Sequence, residues 1–305
     1  MNIFEYFRKK EIDTIDASFY RKIDEWKSWY QGNVRRFHFF RIYGGRGTWK
    51  RCRRLSLGMA KKLCEDMADL LLNERVKITI ADPATDAYVK EVLKQNSFLT
   101  LGNEYQERKA ATGTVAYVPY LENAEMDEKG NISGGKIKIN YLEAPNIFPI
   151  SWENGKVLEC AFLFLKTCKC RKYAQIQFHR IENGQYVIEN TVVECTSGAT
   201  GRELTQKEWA QQPVFQNLAQ KIETGSLEPQ FVIDRLNIVN NADQDVTNPL
   251  GVALFANSVD TLQKIDMEYD SYSNEFDLGR KRIFVAPEML EDKDGSLTFD
   301  TNDTV

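Results

Sequence analysis

Apolar and polar residues near the carboxyl end recur with the period of a helix, and we predict one long helix over residues 248–282. Asn248 and Pro249 would begin it, because a capping side chain followed by proline is a typical helix start. One side of this predicted helix is apolar and consists of Phe255, Val259, Leu262, Ile265, Tyr269, Tyr272 and Phe276. A helix of this length spans about 50 Å, which is more than the core of an ordinary domain needs.

The opposite side of the predicted helix is acidic. It includes four aspartates, Asp260, Asp266, Asp270 and Asp277. The helix could pack on its own domain, form a coiled-coil dimer, or pack against copies of itself in a ring whose lumen the acids face. Its many aromatic residues and its few regular heptads disfavour the coiled coil, while the other two arrangements remain open.

The rest of the pattern predicts an α+β fold. Residues 1–113 are predicted mostly as helices, residues 114–200 mostly as an antiparallel sheet, and residues 201–247 as irregular. Asn-Gly pairs separate several of the alternating segments, which is typical of hairpin turns. Asp294 and Gly295 predict a further hairpin turn after the long helix.

Three segments together resemble the portal proteins of tailed bacteriophages. They are the end of the long helix with the strand after it (residues 266–290), the helix and strand at residues 57–80, and the small-residue turn at residues 110–119. The segments occur in the order of the family, and the chain most resembles the siphophage portals of Gram-positive hosts, which are also called minor capsid proteins.

The resemblance implies three parts of the chain. Residues 1–247 would form the wing domain, residues 248–282 the stem helix, and residues 283–305 the start of a clip hairpin. Family members continue beyond this point, so the chain is expected to be truncated after the stem helix. Without its partner helix, the stem would leave part of its apolar side exposed, and this fragment alone is expected to assemble poorly. The residues concerned are Phe255, Leu262, Tyr269 and Phe276.

The resemblance also implies a structural, non-enzymatic function. Identical full-length protomers would form a ring, expected to be a dodecamer, at the unique capsid vertex, and viral double-stranded DNA would pass through its channel during packaging and ejection. Expected partners are the terminase, scaffold, major capsid and head-completion proteins, and the ring would belong to the virion after synthesis in the bacterial host cytoplasm. Because acidic surface repels DNA phosphates, the candidate residues of the channel wall are Asp260, Asp266, Asp270 and Asp277.

A basic arm lies at residues 35–54, within a stretch that has no acid between Glu25 and Glu65. Aromatic residues are interleaved with its cations. The candidate contact residues are Arg35, Arg36, Arg41, Arg51, Arg53 and Arg54. Such a segment can bind single-stranded nucleic acid, which makes a stand-alone nucleic-acid-binding module the alternative function. It can also dock on an acidic neighbouring subunit, and the net charge of −4 and the resemblance favour this second interpretation.

Composition and motifs limit the kinds of protein and of chemistry that the chain can represent. A chain with 42% hydrophobic and 28% charged residues is typical of a globular protein, and no apolar run reaches the roughly 20 residues that span a bilayer. Cys168 and Cys170 are the nearest pair among six cysteines, and their spacing fits reduced thiols on a strand better than a zinc site. Motifs for nucleophilic or metal catalysis do not occur, so we expect no enzyme activity, no cofactor and no metal.

Overall fold

Helices in the first third of the chain and antiparallel strands after them give the predicted α+β fold. The computed structural model describes residues 2–43, 48–73, 75–126, 132–195 and 201–278. The predicted clip hairpin therefore lies outside the described residues, as do the last residues of the predicted stem helix.

The elements are named here in chain order. The helices are α1 (Ile3–Lys9), α2 (Ala17–Tyr30), α3 (Arg35–His38), α4 (Met59–Leu71), α5 (Pro83–Gln95), α6 (Phe98–Thr112), α7 (Gln206–Ala210) and α8 (Val259–Leu278). The strands are β1 (Phe39–Tyr43), β2 (Trp49–Arg53), β3 (Thr114–Met126), β4 (Ile132–Glu143), β5 (Ile147–Glu153), β6 (Lys156–Cys168), β7 (Arg171–Glu182), β8 (Gln185–Cys195), β9 (Arg202–Leu204), β10 (Lys221–Glu223) and β11 (Val232–Arg235).

Three antiparallel sheets account for these strands. Strands β5 to β8 follow one another as a meander, and the short strands β9 and β10 both pair with β8. The second sheet has the order β11-β3-β4, and the third is the hairpin β1–β2. The Asn-Gly turns at Asn154 and Asn183 connect β5 to β6 and β7 to β8, and both asparagines have positive φ, as this turn chemistry predicts.

An aromatic cluster holds the first two helices on strand β5. The ring of Tyr20 stacks on Phe148 with centroids 5.1 Å apart, and Phe7 meets the same ring edge to face at 5.2 Å. The Tyr20 hydroxyl donates to the carbonyl oxygen of Ile147 over 2.6 Å. Because all these rings are buried, α1, α2 and the six-stranded sheet form one continuous core.

The predicted beginning of the long helix at Asn248 is wrong, because helix α8 starts at Val259. The Asn248 side chain accepts from the amide of Leu250 over 2.9 Å, so it closes a local turn. The amide of Gly251 donates to Thr114 Oγ1 over 2.8 Å, and the amide of Leu254 donates to the carbonyl of Ala110 over 2.8 Å. The Leu254 contact with α6 uses an amide that a helix begun at Asn248 would bond internally, so this segment is not helical.

The two chain segments approach each other closely at Gly113 and Gly251. Gly113 has φ +87, and a Cβ added to it would overlap the carbonyl oxygen of Gly251. Replacing Gly113 with alanine is therefore expected to lower the free energy of unfolding by about 2 kcal/mol, through left-handed strain and backbone overlap. Urea unfolding measures the change.

Gly225 provides the matched control for that substitution. It has φ +64, but no atom lies within 4 Å of a Cβ added there. Gly225→Ala should therefore cost only the backbone strain, about 1 kcal/mol. Equal losses in the two variants would show that the close approach at Gly113 contributes nothing to stability.

His179 lies buried on β7, and its ring makes edge-to-face contacts with Phe162 and Phe231 at centroid distances of 5.2 and 5.3 Å. Its Nε2 lies 3.2 Å from Gln177 Oε1, and its Nδ1 has no hydrogen-bond partner among the described residues. Burial disfavours the charged imidazolium and lowers the pKa of His179 from 6.5 to about 4.

A depressed histidine pKa makes the fold less stable in acid. The unfolded chain binds a proton as the pH falls below about 6.5, whereas the folded chain does so only near pH 4. Between pH 7 and pH 5 this difference should remove about 2 kcal/mol of stability. Urea unfolding at both pH values measures the drop in the free energy of unfolding. This drop should be smaller by about 2 kcal/mol in the variant His179→Gln than in the unmodified protein. An equal drop in both proteins would refute the role of His179.

Candidate interaction surfaces

Helix α8 presents one side to the body of the protein. Leu262 and Asp266 are 5% and 4% exposed, and both face inward. Since a helix turns about 100° per residue, Asp260, Glu268 and Glu275 lie on the opposite side, where all three are exposed.

Asp266 connects α8 to the base of the basic arm. Its Oδ2 lies 3.0 Å from Nε2 of His38, which is fully buried. His38 Nδ1 accepts from the amide of Val34 over 2.8 Å, so the ring proton is assigned to Nε2, which donates to Asp266. The other carboxylate oxygen of Asp266 accepts from the amide of Leu57 over 2.8 Å.

Asp270 repeats this contact one helical turn further on. Its Oδ1 accepts from the amide of Leu55 over 2.9 Å. Leu55 and Leu57 belong to the segment between β2 and α4, so two aspartates four residues apart hold alternate amides of one segment. We name this set of contacts the aspartate ladder; it consists of Asp266, Asp270, His38, Leu55 and Leu57.

The ladder contradicts the prediction for one of the four channel-wall residues. Asp266 is buried against its own subunit and cannot line a lumen, whereas Asp270 is only partly buried and stays a prediction. Asp260 is exposed on the outward side, and the side chain of Asp277 lies outside the described part. The outward acids that were not selected, Glu268 and Glu275, could have been found from their positions opposite Leu262.

The apolar side of α8 is buried in its first half only. Leu262 is buried, as is Phe255 just before the helix at 1% exposed, so the prediction that these two would be exposed is wrong. The prediction holds for the second half, because Tyr269 is 38% exposed and Phe276 is 64% exposed. Tyr272 and Phe276 contact each other edge to face at 4.7 Å, so an aromatic strip remains open next to the acidic side.

The basic arm folds as α3 followed by the hairpin β1–β2. Directly opposed pairs along the hairpin include Phe39 with Arg53, Arg41 with Arg51, and Tyr43 with Trp49. Opposed residues share a face, and alternate residues of a strand do so as well, so these six side chains occupy one face of the hairpin. We name it the arginine face; it consists of Phe39, Arg41, Tyr43, Trp49, Arg51 and Arg53.

All six residues of the arginine face are exposed. The guanidinium of Arg53 lies 5.9 Å from the ring centroid of Phe39, and the rings of Tyr43 and Trp49 contact each other at 5.3 Å. Arg41 and Arg51 stand directly opposite each other, and among the described residues neither forms an ion pair. The face therefore has an uncompensated positive charge.

The other three predicted contact residues have different positions. Arg35 and Arg36 are exposed on α3, which directly precedes β1. The guanidinium of Arg54 lies 4.3 Å from the Phe37 ring centroid and donates to the Phe37 carbonyl over 2.9 Å, so Arg54 stabilises the base of the arm. The structure thus brings together three of the six predicted arginines, namely Arg41, Arg51 and Arg53.

The described ranges contain no group of three or more histidine, cysteine or acidic side chains placed to hold a metal ion. No helix within them has the length and apolar character that crossing a membrane requires. The candidate surfaces therefore remain the arginine face, the outward side of α8 and its aromatic strip.

Comparison with known families decides the class of the protein. The family model described as "Phage portal protein, SPP1 Gp6-like" matches residues 9–304. The chain belongs to this phage portal family. A search of curated proteins gave no match.

Membership confirms the resemblance derived from the sequence at the level of a phage portal protein. The portal family is structural and non-enzymatic, and membership implies a ring oligomer that is associated with the capsid and its DNA. The host type, the truncation, the division into wing, stem and clip, and the dodecamer remain predictions.

Proposed function

We propose that this portal chain is one protomer of the ring at the unique capsid vertex, through which viral double-stranded DNA is packaged and ejected. The observation that carries the proposal is the family match, which extends from residue 9 to residue 304 and so includes both α8 and the body. The exposed outward side and the open aromatic strip of α8 support it, because a ring needs surfaces that a single protomer leaves uncovered.

The outward side of α8 is the proposed channel wall. Asp260, Glu268 and Glu275 are exposed there, and none of them forms an ion pair within the described part of the chain. Lys264 is also exposed on this side, which leaves it net acidic. Proteins bind DNA mainly through basic side chains, which neutralise its phosphates and release the counterions condensed on them. An acidic wall lacks this attraction and would let DNA pass without holding it.

The partners of the ring follow from the same proposal. Protomers would associate as a dodecamer, and the assembled ring would contact terminase, scaffold, major capsid and head-completion proteins as well as the DNA in its channel. The aromatic strip at Tyr269, Tyr272 and Phe276 would be covered by a neighbouring helix in that assembly.

The first test is the mass and shape of the assembled protein. Light scattering of the full-length protein should give a mass many times the 35.2 kDa of this chain, and negative-stain images should show rings with a central opening. A protein that stays monomeric at all accessible concentrations, yet binds single-stranded DNA with steep salt dependence, would instead be the nucleic-acid-binding module.

A second test addresses the channel wall. Reversing the charge at Asp260, Glu268 and Glu275 with lysine should make assembled rings retain linear double-stranded DNA at low salt, whereas unmodified rings release it. The matched control reverses Glu25, Glu153 and Glu228, which are exposed on the body. Retention by both variants, or by neither, would refute the assignment of the wall while leaving ring formation unaffected.

A further inference from the structure

We propose that the arginine face of one protomer binds the acidic surface of a neighbouring copy of the same chain. The inference rests on the proposed ring, and it assigns to the hairpin β1–β2 a specific role in joining adjacent protomers. Three properties of the described structure carry it: the composition of the face, the repulsion within it, and the charge of the rest of the chain.

The composition of the arginine face is that of a protein–protein contact. Trp49, Tyr43 and Phe39 are 63%, 56% and 46% exposed, although large aromatic side chains are normally buried. Exposed tryptophan, tyrosine and arginine are the residues that contribute most to the cores of protein interfaces. Their arrangement on a short hairpin gives a narrow, projecting surface that can enter a groove or lie across a neighbour.

The repulsion within the face indicates an external anionic partner. Like charges at directly opposed strand positions destabilise a hairpin, and Arg41 stands opposite Arg51. Within the described structure no acid compensates either of them. Acidic groups supplied from outside would remove this repulsion and gain charge-assisted hydrogen bonds to two guanidinium groups at once.

The charge of the remaining chain identifies that partner as another copy. Residues 35–54 contain seven arginines, one lysine and no acid, a charge of +8, while the whole chain carries −4, so the other residues together carry −12. The basic arm and the acidic body are different surfaces of one protomer. Contact between them is head-to-tail, which is the kind of contact that closes identical subunits into a ring.

Nucleic acid is the less suitable partner for this face. A surface with three clustered arginines would bind phosphates in a strongly salt-dependent way, and a portal must let its DNA move. The base of the arm is also held in place, because the amide of Arg54 donates to the His38 carbonyl over 2.8 Å and His38 bonds to Asp266. A surface fixed in this way loses little conformational freedom when it meets a rigid neighbour.

The test places a photo-crosslinking amino acid at Trp49 in the full chain. Irradiation during association at low salt should produce covalent dimers and higher multimers, and mass spectrometry should locate the second end of each crosslink on the acidic body of another copy. The charge-reversal variant Arg41→Glu, Arg51→Glu, Arg53→Glu should weaken self-association at least about tenfold, measured by sedimentation velocity over a concentration series.

The matched control reverses three exposed lysines elsewhere, Lys94, Lys172 and Lys207, with the same change in net charge. Circular dichroism should show that both variants are folded. Weakening in the arginine variant alone supports the proposal. Rings that form without a crosslink from position 49 to another copy, or equal weakening in both variants, would overturn it without affecting the ring itself. Crosslinks to added oligonucleotide and none between copies would assign the face to nucleic acid, and absence of any association would refute the ring as well.

Discussion

Replacing Asp266 with alanine is expected to lower the free energy of unfolding by about 3 kcal/mol. The carboxylate is 4% exposed and accepts hydrogen bonds from His38 Nε2 and from the amide of Leu57, over 3.0 and 2.8 Å. Its removal would leave the buried His38 Nε2 and the partly buried Leu57 amide without an acceptor, and a buried donor that loses its acceptor retains its desolvation cost. Urea unfolding followed by tryptophan fluorescence measures the loss.

Glu268→Ala is the control for this prediction, because Glu268 lies two residues away on the outward side and is exposed. A substitution there should change the free energy of unfolding of the protomer by less than about 0.5 kcal/mol. If Asp266→Ala cost no more than Glu268→Ala, the inward orientation of Asp266 would be wrong, and the original assignment of Asp266 to the channel wall would regain its basis.

Phe255→Ala is expected to cost about 4 kcal/mol, the largest effect among the substitutions considered. Phe255 is 1% exposed and belongs to the main core, although it precedes the helix to which the sequence pattern assigns it. Truncating a fully buried phenylalanine removes its transfer free energy and leaves a cavity that the surrounding core fills only in part. Thermal and urea unfolding of the protomer provide two independent measurements.

Phe276→Ala makes the corresponding change at an exposed position of the same apolar pattern. Phe276 is 64% exposed, so its truncation should leave the stability of the protomer nearly unchanged. Its effect should instead appear in the assembled ring, as weaker association of protomers. A large loss of protomer stability in this variant would mean that the aromatic strip is covered by its own chain.

The hydrophobic pattern and the turn residues were sufficient to predict most of the secondary structure. Alternation together with Asn-Gly turns predicted the antiparallel sheet after residue 114, and the helix expected within residues 57–80 is α4. Residues 76–80 were the exception, because their alternation predicted a strand, yet they form no ladder with the described strands. Alternation shows that a segment can be extended, but a strand also needs a neighbour to bond to.

The beginning of α8 could not be read from the sequence because distant residues decide it. The apolar spacing before residue 259 fits a helix, but the amide of Leu254, which such a helix would bond internally, donates to the carbonyl of Ala110 in α6. The orientation of α8 has the same origin. Periodicity identified an acidic side, whereas the inward direction of Asp266 depends on His38, which is 228 residues away.

The aspartate ladder also fixes the rotation of α8 about its own axis. Amides two residues apart in an extended segment are separated by about 6.6 Å, and helical residues four apart are separated by about 6 Å along the axis. The two repeats match, and both carboxylates must face this segment to accept from its amides, so the contacts permit only a narrow range of azimuths of the helix. One pair of carboxylates would therefore set, at the same time, the direction in which the acids of α8 point and the angle at which its aromatic rings meet the next protomer.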